Sequence, residues 1–323
     1  MGFADDRTTI FTLVLTILAV IIAVVGLILG AVSLSGQGGG SPVNIYTSQS
    51  ASSTSNGNRK WLFAIGHYDN VVEYLDTDSY QIKGYNVDVI DAVCDIADKN
   101  CELAWDIYEN CWDSQAGQRP RGGQGLMGGW YDACTGWWQT NDRLLTYSFT
   151  SPFSKQRQVG VYVRQGNPSS VASNPISVSG LRVGFLDGWF SDELCLARYA
   201  AASSAVTVQG ADQIAASNIV HLQTPDDLIA ALNDGRVTVV FSMVLPQLET
   251  SLMRLTNDAF PNYCVVTAES MMTTKRNSDF VRWWDDAFNR LVGTKRYTDI
   301  CNNIEREHGD IPGDNSATIC VDP

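Results

Sequence analysis

Residues 130–153 read WYDACTGWWQTNDRLLTYSFTSPF. The strand-like YDACTG comes first, a polar loop ending in Arg143 follows, and LLTYSFTSPF closes the stretch. Strand, loop and proline-marked break in that order frame a loop that grips a ligand. Two adjacent indoles, Trp137 and Trp138, fill the middle of that loop.

Outward from this stretch, strands and helices alternate. WLFAIG (61–66) reads as a short buried strand. GYNVDVIDAVCDIADKN (84–100) places Ile90, Val93 and Ala97 at i, i+3 and i+7, the core face of a helix. CELAWDIY (101–108) returns to extended chain. In TPDDLIAALNDGRVTVVF (224–241), Thr224 is an N-cap, Pro225 suits the first turn, and Asp226 and Asp227 favour the positive helix end. Leu228, Ile229 and Leu232 form its buried stripe, Gly235 takes the left-handed position after it, and Val237–Phe241 is a buried strand. SDFVRWWDDAFNRLVGTKRYTDICNNI (278–304) reads as one long helix on Phe280, Trp284, Phe288 and Leu291. Trp283 and Trp284 are assigned to packing of that helix. Strands alternating with such helices indicate an α/β sheet.

The chain has 323 residues, enough for about two domains of ordinary size. Its net charge of −13 argues against nucleic acid, whose phosphates need a basic face. Residues 10–34, IFTLVLTILAVIIAVVGLILGAVSL, carry no charge. As a helix they would extend about 38 Å, long enough to span a bilayer with some tilt. The run is too long, and the preceding MGFADDR too acidic, for a cleaved signal peptide, so an uncleaved signal anchor is expected. Residues 1–9 would then be a short cytosolic N-terminus. Residues 35–58, rich in Gly, Ser, Thr and Asn, form a flexible linker of roughly 25–30 Å end to end. The eight cysteines all follow residue 90, an even number that suggests disulfides in an oxidising compartment. The favoured pairs are local: Cys94–Cys101, Cys111–Cys134, Cys195–Cys264 and Cys301–Cys320. With no CxxC pair and only three histidines, zinc is not expected, nor is any cofactor. The body is placed outside the cell or in the secretory lumen, held to the membrane by its N-terminal helix.

In their order, GYNVDVIDAV, the 130–153 stretch, LRVGFLDGWFSDEL (181–194), LIAALNDGRVTVVFS (228–242) and MMTTKRNSDFVRWWDDAFNRLVGTKRYTDI (271–300) resemble the motifs of solute-binding protein family 3. These are the type II periplasmic binding proteins, whose fold also forms the ligand-binding core of ionotropic glutamate receptors. The resemblance spans about residues 60–310. It implies a bilobed α/β fold with two hinge strands crossing near VYVRQGNP (161–168) and CVVTAES (264–270). Lobe one would take residues 59–163 and, on the return, 268–310. Lobe two would take 164–267, and 311–323 would be a C-terminal tail tied by a disulfide. A small-molecule ligand would sit between the lobes and favour their closed state.

The resemblance also implies a site. Arg143 aligns with the arginine that clamps a ligand carboxylate, a task suited to a planar guanidinium. The chain departs from the family elsewhere: Trp138 stands at a loop threonine, and Trp189 and Phe190 replace small hydroxyl residues after Gly188. The acid that holds an α-amino group falls near Ser242 and Met243, where no carboxylate stands. His67, Tyr68, Trp112, Trp137, Trp138, Trp189 and Phe190 are therefore expected to line the cleft with Arg143, beside Ser242 and Met243. Large, stiff apolar faces favour an apolar or aromatic ligand, or a quaternary ammonium, and Arg143 adds an anionic end. The alternative is a module of the same fold whose aromatics fill the cleft so that nothing binds. An enzyme is not expected; a dehydratase-type reading would draw its acid–base groups from His67, Glu109, Asp132 and Asp187. The sequence has no nucleophile elbow, metal spacing or phosphate loop.

Overall fold

Two five-stranded sheets carry the computed structural model, which describes residues 59–66, 71–114, 120–200, 206–256, 260, 263–309 and 319–322. The proposed N-terminus, anchor and linker lie outside these residues, as do His67, Tyr68 and most of the C-terminal tail. Among the described residues no helix is long and apolar enough to cross a membrane.

In chain order the strands of the two sheets are β1 (Lys60–Ile65), β2 (Asn100–Trp105), β3 (Ala133–Gln139), β4 (Tyr147–Phe149) and β5 (Val159–Val163), then β6 (Val183–Leu186), β7 (Ile219–Leu222), β8 (Val239–Met243), β9 (Met253–Arg254) and β10 (Thr267–Thr274). The first sheet runs β2-β1-β3-β10-β4 and the second β7-β6-β8-β5-β9. In each, four strands run one way and the strand in the fourth position runs antiparallel to both its neighbours. The fourth position in each sheet is held by a strand that has just crossed from the other half: β10 in the first, β5 in the second. This double crossing makes the fold bilobed.

The crossing corrects one expected boundary. Val159 already pairs with Met243 of β8, so lobe two begins before Val159 rather than after Val163. The run VGVYV is buried at every position, which suits an inner strand of the second sheet.

Helices cover the sheets. α1 (Tyr85–Ala97) buries Ile90 and Val93 as its spacing predicts. α2 (Asn141–Thr146) follows β3, and α3 (Glu193–Ala197) starts at Asp192, whose side chain accepts from the Cys195 amide. α4 (Pro225–Asn233) opens on a capping box: Thr224 accepts from the Asp227 amide while Asp227 reaches back to the Thr224 amide. Gly235 follows it at φ +73. The expected single C-terminal helix is two, α5 (Ser278–Val292) and α6 (Lys295–His308). Gly293 ends the first, and Thr294 caps the second by accepting from the Tyr297 amide. Glycine's entropy and threonine's capping outweigh the continuous apolar period there.

Each lobe has its own apolar core. Trp284, fully buried, meets Phe63 and Phe280 under the first sheet, and Trp61 packs on Trp283. Phe185, Phe241 and Tyr199 centre the second. The disulfides join Cys94 to Cys101, Cys111 to Cys134, Cys195 to Cys264 and Cys301 to Cys320, the four pairs expected from sequence.

Candidate ligand-binding cleft

In a sheet with parallel strands, loops at the carboxyl ends of the strands meet where the strand order reverses, and ligands settle there. β3 and β6 deliver their carboxyl ends to the same place. A small cleft, part of it open to solvent, lies between Gly136–Trp138 from the first lobe and Asp187–Phe190 from the second. Arg143 and Tyr108 complete its walls.

Six sequence-derived positions are thus brought together: Trp137, Trp138, Arg143, Gly188, Trp189 and Phe190. Trp112 sits just outside, buried under Tyr147 and lining a neighbouring depression that shares Phe190 with the cleft. Ser242 and Met243 are not in the lining; both are fully buried on β8, inside the second sheet. Their alternating side chains have no solvent face to offer because both sides of this inner strand are covered. Among the acid–base candidates, Asp187 reaches the cleft, whereas Asp132 pairs with Arg59 at the protein surface. Glu109 lies in the 3-10 turn Tyr108–Asn110 and is outside the lining.

Arg143 is buried, at 4% exposure, although it carries a charge. One Nη donates to the Trp138 carbonyl at 3.0 Å and the other to the Gly188 carbonyl at 3.0 Å. Its guanidinium lies 4.7 Å from the Trp137 ring centroid and 5.9 Å from that of Trp112. Carbonyl oxygens and ring faces together compensate the lost hydration of a buried cation. Gly188 makes its carbonyl available by turning at φ +79, a left-handed conformation that disfavours a side chain.

Gly136 also stands at φ +79, inside β3. A Cβ there would lie 3.1 Å from a Glu73 carboxylate oxygen and 3.2 Å from one of Glu269. Those two buried carboxylates converge on Asn86, whose Nδ2 donates to both, at 3.0 and 2.8 Å, and Ser154 Oγ donates to Glu269. Two buried carboxyl groups therefore lie directly beneath the cleft floor. Sequence reading missed this group, since Glu73, Asn86 and Glu269 lie far apart along the chain. The signal available was the glycine between a strand and two indoles.

The second-lobe wall has an electrostatic support of its own. Asp187 accepts from Gln223 Nε2 at 3.1 Å, and His221 Nδ1 lies 3.5 Å from its other oxygen. The opposite ring nitrogen, Nε2, meets Glu193 at 2.9 Å. The hydrogen bond to Glu193 is the main reason the His221 pKa is raised, and the same bond holds Glu193 below the usual carboxylate range. Burial pushes the neighbouring Asp192 up to about 6, against the stabilising Cys195 amide.

A family model described as bacterial extracellular solute-binding proteins, family 3, matches residues 65–303. No curated relative matches by sequence. Among solved structures, the chain is similar to the arginine-, lysine-, histidine-binding protein ArtJ from Geobacillus stearothermophilus, at 19% identity and a TM-score of 0.55, covering 79% of this chain and 97% of that one. An arginine-specific periplasmic binding protein of Salmonella typhimurium gives 17% identity and a TM-score of 0.53, covering 78% and 100%. A histidine kinase sensor domain similar to periplasmic binding proteins gives 15% and 0.55, covering 79% and 98%. At such identities the likeness is one of fold.

Proposed function

The chain belongs to the bacterial extracellular solute-binding proteins, family 3, and on that premise we propose that it captures a small organic solute in the cleft between its lobes. The observation that carries this reading is the convergence of Trp137, Trp138, Trp189 and Phe190 with Arg143 at the carboxyl ends of β3 and β6. Flat indole and phenyl faces suit an apolar or aromatic body. Arg143, buried and charged, suits a carboxylate, because charge-assisted hydrogen bonds to guanidinium are about twice as strong as neutral ones. The solute is thus an organic acid or a zwitterion with an apolar or methylated-ammonium body. The uncharged run 10–34 tethers the protein to a membrane, with the disulfide-bonded body on the extracellular or lumenal side.

Thermal-shift screening of the purified protein against carboxylates, betaines and aromatic acids tests the reading, since a bound solute raises the melting temperature by mass action. Arg143→Ala should weaken an anionic hit by about 2 kcal/mol or more. Unchanged affinity would remove Arg143 from the role. Mass spectrometry of whatever co-purifies supplies the identity.

A second reading has one specific observation in its favour. Trp138 and Phe190 pack on each other at a tilt of 43°, with ring centroids 4.9 Å apart, so one wall of the cleft already rests on the other. A module of this fold that binds no solute would give no shift with any member of the panel.

A further inference from the structure

Trp138 belongs to a strand of the first sheet, yet its ring is part of the apolar core of the second lobe. Only 3% of the residue is exposed, and Phe190 of that core packs against it. An indole from one lobe is therefore buried in the other. The backbone beneath it does the same in polar form. The Trp138 carbonyl and the Gly188 carbonyl, one from each lobe, accept from the two Nη atoms of Arg143. A single guanidinium thus ties the end of β3 to the turn after β6. The hinge is close by: Trp138 pairs with Glu269 of the crossing strand β10.

A solute that closes such a cleft does two things: its body fills the apolar space between the lobes, and its acceptor group takes the donors that face it. Here the chain supplies both from its own residues. We infer that Trp138 and the Gly188 carbonyl occupy the body and head positions of a ligand, with Arg143 as the latch, so that the lobes hold each other closed and solute capture is a displacement. Both residues then set specificity. A neutral acceptor exchanges one carbonyl for another at Arg143 and gains nothing, whereas an anionic group gains a charge-assisted pair. A body that needs the space of the Trp138 indole is refused unless that ring swings out. The specificity part rests on the solute-binding reading; the latch does not.

The test measures the distance between the lobes without any solute. Spin labels on noncanonical residues at Asp286, on α5 of the first lobe, and Asp234, after α4 in the second, report that distance by double electron–electron resonance in the detergent-solubilised full chain. Both side chains are well exposed, at 72% and 66%. The wild type should give one narrow distance, with an open population below roughly 10%. Trp138→Ala and Arg143→Lys should each raise that population severalfold while keeping a cooperative melt. A wild type that is mostly open, or folded variants as closed as the wild type, would overturn the latch. Should a variant fail to fold, the wild-type distribution alone decides. Because no ligand enters the measurement, its failure leaves solute binding standing. A thermal-shift panel with no hit removes solute binding but not the latch.

Discussion

His221 links two parts of the second lobe that differ in purpose. One ring nitrogen faces Asp187 on the cleft wall, and the other bonds Glu193 in the first turn of α3, so the loop carrying Gly188, Trp189 and Phe190 is clasped from behind. Asp187 and Glu193 are the charged groups that act on the ring. Because the folded His221 pKa is raised, its contribution is complete below the ordinary value of 6.5 and is lost as pH climbs through the raised one. Glu193 is lowered, so its share is present above the ordinary 4.5 and is lost as pH falls through the lower folded value. The clasp is strongest between those two ordinary values. Melting temperatures should fall on going from about pH 6 to about pH 8, and His221→Gln should flatten most of that slope. Asp192, raised to about 6 by burial, loses stability in the same direction and leaves a residual slope in the variant. Parallel profiles for variant and wild type would remove His221 as the source of the slope, since Asp192 has released most of its proton by about pH 7. At this scale the sequence was readable for Arg143, Trp189 and Phe190, because a matching motif fixes their place at a strand end. It was silent on Glu73, Asn86 and Glu269, whose convergence depends on the chain before Tyr74, the first turn of α1 and the crossing strand β10 meeting in space.

Elements were legible where local chemistry and tertiary packing agree. α4 shows its start in Thr224, Pro225 and Asp227 and its stop in Gly235, and all four act in the structure as the sequence implies. α5 and α6 were legible as helix but not as two helices, because the apolar period runs through Gly293. The break has a direct consequence. Thr294 accepts from the Tyr297 amide, and Tyr297 is buried against Phe288. The cap thus fixes the angle at which α6 returns to the first lobe. Thr294→Ala should cost about 1 kcal/mol in denaturant unfolding, and Thr294→Ser should restore most of it. An equal loss in both variants would point to packing of the threonine methyl rather than to the cap. Gly293→Ala offers a contrast, since nothing lies within 4 Å of the added Cβ and the angle there is not left-handed.

Over the whole molecule, topology rather than any one element positions the cleft. Each crossing chain inserts as the fourth strand of the sheet it enters, so motion of one lobe is carried through β5 and β10 into the other. The disulfides bear on this unequally. Cys94–Cys101 closes a loop of separation 7 within the first lobe, between α1 and β2. Cys195–Cys264, of separation 69, ties α3 beside the cleft to the chain just before β10. If the cross-links act by restricting the unfolded chain, the short loop contributes about 2.5 kcal/mol and the long one about 4.4 kcal/mol. Either is a large fraction of the roughly 5–15 kcal/mol that holds an ordinary domain together. Replacing Cys195 and Cys264 with serine should therefore lower the urea midpoint more than replacing Cys94 and Cys101. The long link also runs from the helix beside the cleft to the chain leading into the crossing strand, so its loss should widen the interlobe distance distribution, which loss of the short link should leave unchanged. Equal destabilisation by the two pairs, with no change between the lobes, would place the stabilisation in local packing around each sulfur and leave the hinge to β5 and β10 alone.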